Sequence, residues 1–250
     1  MGAEEGGPGV AVTKLAINQP EYWPLPRLLA KWAAADLLVV LDTAQFDRSS
    51  LQHRARFRSR FDGAQRWLTI PFAHNPLPQQ VRVLDPIDRD WTLKHWARLR
   101  EWYRGAETSR LREVEVWYLK VHESHGEAIS TYALESMLHL ADLTGIATPY
   151  VLASALVPPP GGWGGKSELI LNICKKVGAR TYLSGVRGAS YLDWAAFERA
   201  GISIEVQAYR QAEDEAELSA LHTYLEEGLA PLLDLVARKD ITEQAESKEV

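Results

Sequence analysis

Among 250 residues there is a single cysteine, Cys174, so no internal disulfide can form and a reducing compartment is expected. No run approaches the roughly 18 consecutive apolar residues of a membrane-spanning helix. Positive charge is also short: 28 Lys and Arg stand against 33 Asp and Glu, a net charge of −5. Bulk electrostatic attraction to nucleic acid is therefore not expected. The opening MGAEEGGPG lacks the basic, apolar and small-residue pattern of an export signal and reads as a disordered tail over residues 1–11. A cytoplasmic location is the expectation. A 46% apolar and 24% charged composition is that of a globular chain, not of a disordered or fibrous one.

What is abundant is tryptophan, nine in all, six of them before residue 103. Most are expected in a core. The charge is uneven. Arg48 to Arg66 holds six arginines and His53 against Asp62 alone, whereas acidic residues dominate after Glu213.

Val12 to Asn18 reads as a strand and Pro24 to Ala35 as a helix, with Leu25, Leu28, Leu29 and Trp32 at helical spacing. Leu37 to Leu41, LLVVL, is a continuous apolar run, the mark of a strand buried on both faces. Together they make a βαβ unit. Trp67 to Phe72 and Val81 to Leu84 read as further strands. Helices are expected over Trp91–Arg104, Arg110–His122 and Gly126–Leu143, a helical subdomain spanning about residues 91–144. Strand character returns at Pro149–Leu156. The PPPGGWGG segment, Pro158 to Gly165, must be a loop. A helix over Lys166–Val177 stopped by Gly178, a strand at Thr181–Ser184, a turn at Gly185–Gly188 and a helix at Tyr191–Ala200 follow. A strand at Ile202–Val206 and a helix at Glu215–Ala237 close the chain, leaving a frayed tail over 238–250. The expected fold is one α/β domain over residues 12–237, with a mostly parallel sheet flanked by helices.

In such sheets ligands sit beyond the carboxyl ends of the strands. Three strand ends carry polar residues: Asn18 and Gln19, Asp42 and Gln45, and Ser184 and Gly185. The turn Asn18 to Pro24 adds Tyr22. The segment DTAQFDRSSLQHRAR, Asp42 to Arg56, follows a buried strand and concentrates Arg48, Gln52, His53, Arg54 and Arg56. Were Arg48 to Arg58 helical, Arg48, Gln52 and Arg56 would share one face. Guanidinium groups grip carboxylate or phosphate, so the expected substrate is a small anionic molecule. His53 among arginines is expected to have a lowered pKa and so to be a neutral base. Gly161 to Ser167, GGWGGKS, misses the phosphate-loop pattern because Pro160 stands at its first glycine. It reads instead as a loop presenting Lys166 and Ser167 at a helix start. The turn after the later strand offers Ser184, Gly185, Tyr191 and Asp193, without a dinucleotide glycine pattern. His122, Glu123 and His125 lack partners at zinc spacing, so no metal is implied. Cys174 reads as a buried thiol, and Lys94 and His95 as surface or site.

Several of these stretches resemble the WbqC-like family. They are Asn18-Gln19-Pro20-x-Tyr22-x-Pro24, ADLLVVLDTAQF, WLTIP at Trp67, Lys94-His95, and Lys166-Ser167 followed by ICKKVGARTYLSG and YLD. The resemblance spans about residues 14–236. It implies a bacterial protein of surface-polysaccharide or specialised-metabolite pathways. His53 stands where asparagine is common in the family, which shifts any shared role to Gln52, Arg54 and Arg56. The stretch Gln207 to Ala212 also departs from the family pattern. The first βαβ segment further resembles nucleotidyltransferase-like domains, but the two phosphate-binding histidines of their first turn are absent. ATP is thus weakly supported, and no cofactor is implied.

The function expected is a transferase or ligase-like enzyme joining an acyl or amino-acid-like group to an amine. Asp42, His53 and Lys166 are the candidate catalytic residues. Asn18, Gln19, Tyr22, Gln45, Arg48, Gln52, Arg54, Arg56, Ser167, Ser184, Gly185, Tyr191 and Asp193 are the candidate binding residues. The alternatives are a nucleotide or nucleotide-sugar binding module and an assembly partner of a biosynthetic complex. Nothing in the sequence indicates an oligomeric state.

Overall fold

The computed structural model describes residues 12–73, 79–124, 127–209, 217–238 and the backbone of 241–243. Five parallel strands form the sheet: β1 (Lys14–Asn18), β2 (Leu37–Val40), β5 (Tyr150–Leu152), β6 (Thr181–Gly185) and β7 (Ser203–Gln207). Their order is β5-β2-β1-β6-β7, with β8 (Ile241–Glu243) added antiparallel to β7 at the edge. This is the expected α/β architecture. Among the described residues no helix is long and apolar enough to cross a membrane.

The apolar run of β2 explains the layering. Side chains alternate across a strand, so Leu38 and Val40 enter one core while Val39 and Leu41 enter the other. Ala16, and Leu15 with Ile17, divide the same way on β1. Helices must cover both faces. α5 (Ser167–Val177) and α7 (Trp194–Arg199) supply Ile170, Ile173, Cys174 and Phe197 to one core. α1 (Pro26–Ala33), starting at its first-turn proline, turns Leu28, Leu29 and Trp32 into the other. α4 (Ile129–Leu143) and α9 (Leu229–Val236) pack against α1 there. The hairpin β3 (Arg54–Arg58) and β4 (Gln65–Thr69), with α2 (Trp91–Trp102) and α3 (Thr108–Glu123), contributes to that same core through Phe57, Leu68, Trp96 and Tyr118.

Several local expectations change. Arg48–Arg58 is not helical. Asp47 closes a tight turn by accepting from the Ser49 amide and hydroxyl, both at 2.7 Å. The following RARFR then alternates, Ala55 and Phe57 inward and the arginines outward, and pairs along its whole length with β4. A period of two, not 3.6, carries the burial. Val81–Val83 is a single 3₁₀ turn rather than a strand, joined to its neighbour by an isolated Gln45–Gln80 bridge. Strand β5 stops at Leu152 and a 3₁₀ turn takes Ala153–Ala155. The expected turn after β6 is the one-turn helix α6 (Val186–Ala189). α7 starts only at Trp194, because Asp193 caps it by accepting from the Ala196 amide at 3.0 Å.

The single helix expected over Glu215–Ala237 is two: α8 (Ala220–Glu227) and α9, divided at Gly228 with φ +102°. Pro231 explains the break. In one continuous helix it would remove an amide and press on the Glu227 carbonyl, whereas in the first turn of α9 it costs nothing. Residues 241–243, expected to fray, extend the sheet instead. The tail over residues 1–11 and residues 125, 126, 215 and 216 lie outside the described residues.

Candidate functional site

Chain order runs from β1 outward to β2 and β5, then back to β6 on the other side of β1. The topology therefore reverses between β1 and β6, and a crevice is expected outside their carboxyl ends. A cavity of about 360 Å³ lies there, within the range of small-molecule sites. One wall comes from the strand ends: Asn18, Gln19, Glu21 and Arg27 after β1, and Arg187 after β6. The other comes from the hairpin: Ser49, Ser50, Arg54, Arg56 and Trp67, with Glu217.

The hairpin wall is set by strand register. Arg54 and Arg56 stand two apart on β3, and Trp67 on β4 lies opposite Arg56. Both guanidinium groups lie over the Trp67 ring, at 4.3 and 4.5 Å from its centroid. Such cation–π stacking holds the forks in place without spending their N–H donors. Arg54 also donates to the Ser50 and Ser49 carbonyls, and Arg56 pairs with Glu217 at 3.0 Å.

Behind the strand-end wall lies Lys31 of α1, buried with 6% exposure. Its Nζ donates to the Ile17 carbonyl at 2.8 Å and to Asn18 Oδ1 at 2.9 Å. That fixes the Asn18 amide, whose Nδ2 donates to Glu21 Oε1 at 3.2 Å and to the Gln19 carbonyl. Burial lowers the Lys31 pKa to about 8, against the opposing effect of Glu21. Gln52, fully buried, ties the two walls together. Its Nε2 donates to Gln19 Oε1 at 3.0 Å, and its Oε1 accepts from the Asp47 amide.

Of the residues marked in the sequence, Asn18, Gln19, Gln52, Arg54 and Arg56 meet at this cavity. The others lie elsewhere. Tyr22 has no exposed surface and points into the core, where its hydroxyl meets His95 Nδ1 at 2.9 Å. His53, 3% exposed, packs edge-on against Phe46 and Phe72. Its pKa falls to about 4, from burial first and from Arg54 and Arg48 second, so the expected direction holds but its principal cause is the apolar surroundings. Arg48 lies over Phe72, and Gln45 is exposed beside its Gln80 bridge. Asp42 accepts from the Ser154 amide at 2.9 Å and borders a separate cavity of about 170 Å³ with Arg82, Ser130 and Thr131.

Lys166 is exposed at the start of α5 with φ +48°, in the left-handed region. Ser167 Oγ accepts from the Asp193 amide at 2.8 Å, so Ser167 and Asp193 pin the starts of α5 and α7. Tyr191 is exposed, outside the cavity lining. Ser184 is buried under the β6–α6 turn and donates to the Gly185 carbonyl. A Cβ on Gly188 would approach Ser184 Oγ to 2.7 Å. Gly188→Ala is therefore expected to displace the turn carrying Arg187 and to weaken ligand binding, and adding Ser184→Ala should restore it. Equal binding by Gly188→Ala and the wild type would refute this.

Glu21, Arg27, Trp67, Arg187 and Glu217 were not marked in the sequence. Arg187 stands two residues after Gly185 at a strand end, a signal present in the sequence. Trp67 becomes visible only through hairpin register. Among the described residues no cluster of three or more His, Cys, Asp or Glu could hold a metal ion.

An α/β protein with an arginine-lined crevice at its topological switch point is thus the class defined by fold and site. The chain belongs to the WbqC-like protein family, whose model matches residues 19–225. It is similar to an uncharacterized protein of Mycobacterium tuberculosis, Rv1507c, at 25% identity over 199 residues, 76% of this chain and 80% of the relative. No solved structure matches.

Proposed function

We propose that this protein is a small-molecule transferase that holds an anionic substrate in the switch-point cavity and passes an acyl or aminoacyl group to an amine. The observation that carries it is the convergence of Arg27, Arg54, Arg56 and Arg187 on one crevice. Arg54 and Arg56 hold the anionic group, and the Asn18 and Gln19 amides orient it. Glu21 is the cavity carboxylate next to those amides and takes the proton the amine loses as the new C–N bond forms. The leaving group departs with the electron pair of the broken bond. Asp42, His53 and Lys166 have no part in this reading, since none borders the cavity. Kinship with the WbqC-like family supports the biosynthetic setting.

The test is thermal stabilisation against ATP with magnesium, nucleotide-sugars, acyl and aminoacyl thioesters and amino acids, followed by product analysis by mass spectrometry. A ligand at about 100 times its Kd should add roughly 2.7 kcal/mol. Arg54→Ala should weaken that ligand about 10- to 100-fold, the cost of one charge-assisted hydrogen-bonding partner. Unchanged affinity in Arg54→Ala would remove the cavity as the site. Binding without product from any donor–acceptor pair would leave a binding module, not an enzyme.

A further inference from the structure

The charges around the cavity say more than that its ligand is negative. Among the described residues Arg54, Arg56 and Arg187 face two glutamates, Glu21 and Glu217, which leaves one positive charge in excess within a chain of net charge −5. Lys31 adds a second just behind Asn18. One carboxylate would leave that excess half answered.

Donor geometry points the same way. Arg54 and Arg56 leave the same face of β3 and lie 4.3 and 4.5 Å from one ring centroid, so a single ring sets both forks on the same cavity. Arg54 uses Nε and Nη2 on the Ser50 and Ser49 carbonyls, and Arg56 uses Nη1 on Gln65 and Glu217. Each guanidinium carries five N–H donors, so both keep donors for a ligand. A carboxylate has two oxygens and is filled by a single fork, whereas a terminal phosphoryl group has three and can span two. Glu217, half-exposed, already sets a carboxylate on Arg56.

We infer that the cavity binds a doubly negative phosphoryl group, presented by a phosphomonoester or diphosphate substrate, and that Glu217 is the internal carboxylate this group displaces from Arg56. The inference rests on reading the cavity as the anionic-substrate site and names the class of that anion.

The experiment is titration calorimetry on the full chain at constant ionic strength with inorganic phosphate, inorganic diphosphate, malonate and acetate. Phosphate and diphosphate should bind at least about tenfold more tightly than acetate, and more tightly than malonate, a dianion of paired carboxylates. Phosphate affinity should rise as pH passes its second pKa, where the monoanion becomes the dianion. Glu217→Gln should tighten diphosphate several-fold, while Arg56→Gln should weaken it. Both exchanges are on partly exposed side chains, and circular dichroism verifies their folding. Acetate binding as well as phosphate would overturn the inference and leave the anion site standing. Malonate equal to phosphate would overturn the phosphoryl assignment. No binding of any anion would remove the proposed substrate site as well. Glu217→Gln weakening diphosphate would refute the displacement.

Discussion

Replacing His95 by alanine is expected to destabilise the fold by about 4 kcal/mol, through a cavity in the aromatic core and two unpaired polar groups. His95 is 2% exposed. Its Nε2 lies 3.0 Å from the Thr69 carbonyl, which can only accept, so Nε2 carries the proton and Nδ1 is the acceptor. The Tyr22 hydroxyl therefore donates to Nδ1 at 2.9 Å. With that proton spent, the Tyr118 hydroxyl donates to Tyr22 at 2.6 Å, and Trp23 Nε1 donates to Tyr118 at 2.8 Å. Every donor in the chain Trp23–Tyr118–Tyr22–His95–Thr69 has one acceptor, and the direction is fixed throughout. The network holds Trp23 at φ +45°, a costly conformation for a large side chain. That turn directly follows Asn18 to Glu21, and the Tyr22 amide donates to the Leu51 carbonyl on the opposite wall. His95→Ala should thus loosen ligand binding as well as stability. Urea unfolding measures the loss of stability, and a loss below about 1 kcal/mol would show that the network is not what holds the turn.

The sheet was legible because its strands are buried on both faces. β2 falls within the continuous apolar run LLVVL, TYLS of β6 lies between Gly178 and Gly185, and Gly178 ends α5 at φ +72° as a left-handed cap should. The hairpin was not legible as such. Arginine at alternate positions in RARFR is polar in either period, and only Ala55 and Phe57 mark the buried face. Reading those two alone identifies a strand. The break at Gly228 was present in the sequence too, since Pro231 forbids one unbroken helix.

The site divides along the same line. Residues directly after β1 were identified, because a strand end followed by polar residues has one interpretation in a parallel sheet. Gln52 was identified too, as a polar residue near the arginines; its role, joining Gln19 to the Asp47 turn from a buried position, is a matter of tertiary packing. Tyr22 and His53 were misplaced for a common reason. Both can donate or accept, and sequence proximity to arginine or asparagine cannot show that the side chain turns inward toward His95 or between Phe46 and Phe72. Glu21 and Glu217 were overlooked because an isolated glutamate carries no pattern.

Acidification should unfold this protein well before its carboxylates are neutralised. Burial lowers the pKa of His53 to about 4, of His95 to about 3 and of His222 to about 4, with Arg54 and Arg48, Arg98, and Arg58 respectively adding to the effect. Asp47 near His53, and Asp88 and the Thr69 carbonyl near His95, oppose it. Each ring is held neutral by its setting: His222 Nδ1 lies 2.6 Å from the Tyr103 hydroxyl, and His53 Nδ1 has no hydrogen-bond partner among the described residues. All three values fall below the unfolded value of about 6.5, so the unfolded chain binds protons that the folded chain refuses. The contribution is complete above pH 6.5 and is lost as pH falls from there toward 4. At about 1.4 kcal/mol per pH unit, each ring costs about 2 kcal/mol at pH 5, and the three together cost about 6, comparable to the whole stability of an ordinary domain. Urea midpoints should therefore drop steeply between pH 6.5 and 5. His53→Leu removes one titrating group and an unpaired ring nitrogen and should flatten that slope by about a third. A midpoint unchanged from pH 7 to 5 would mean that these rings reach solvent and take up protons without unfolding the chain.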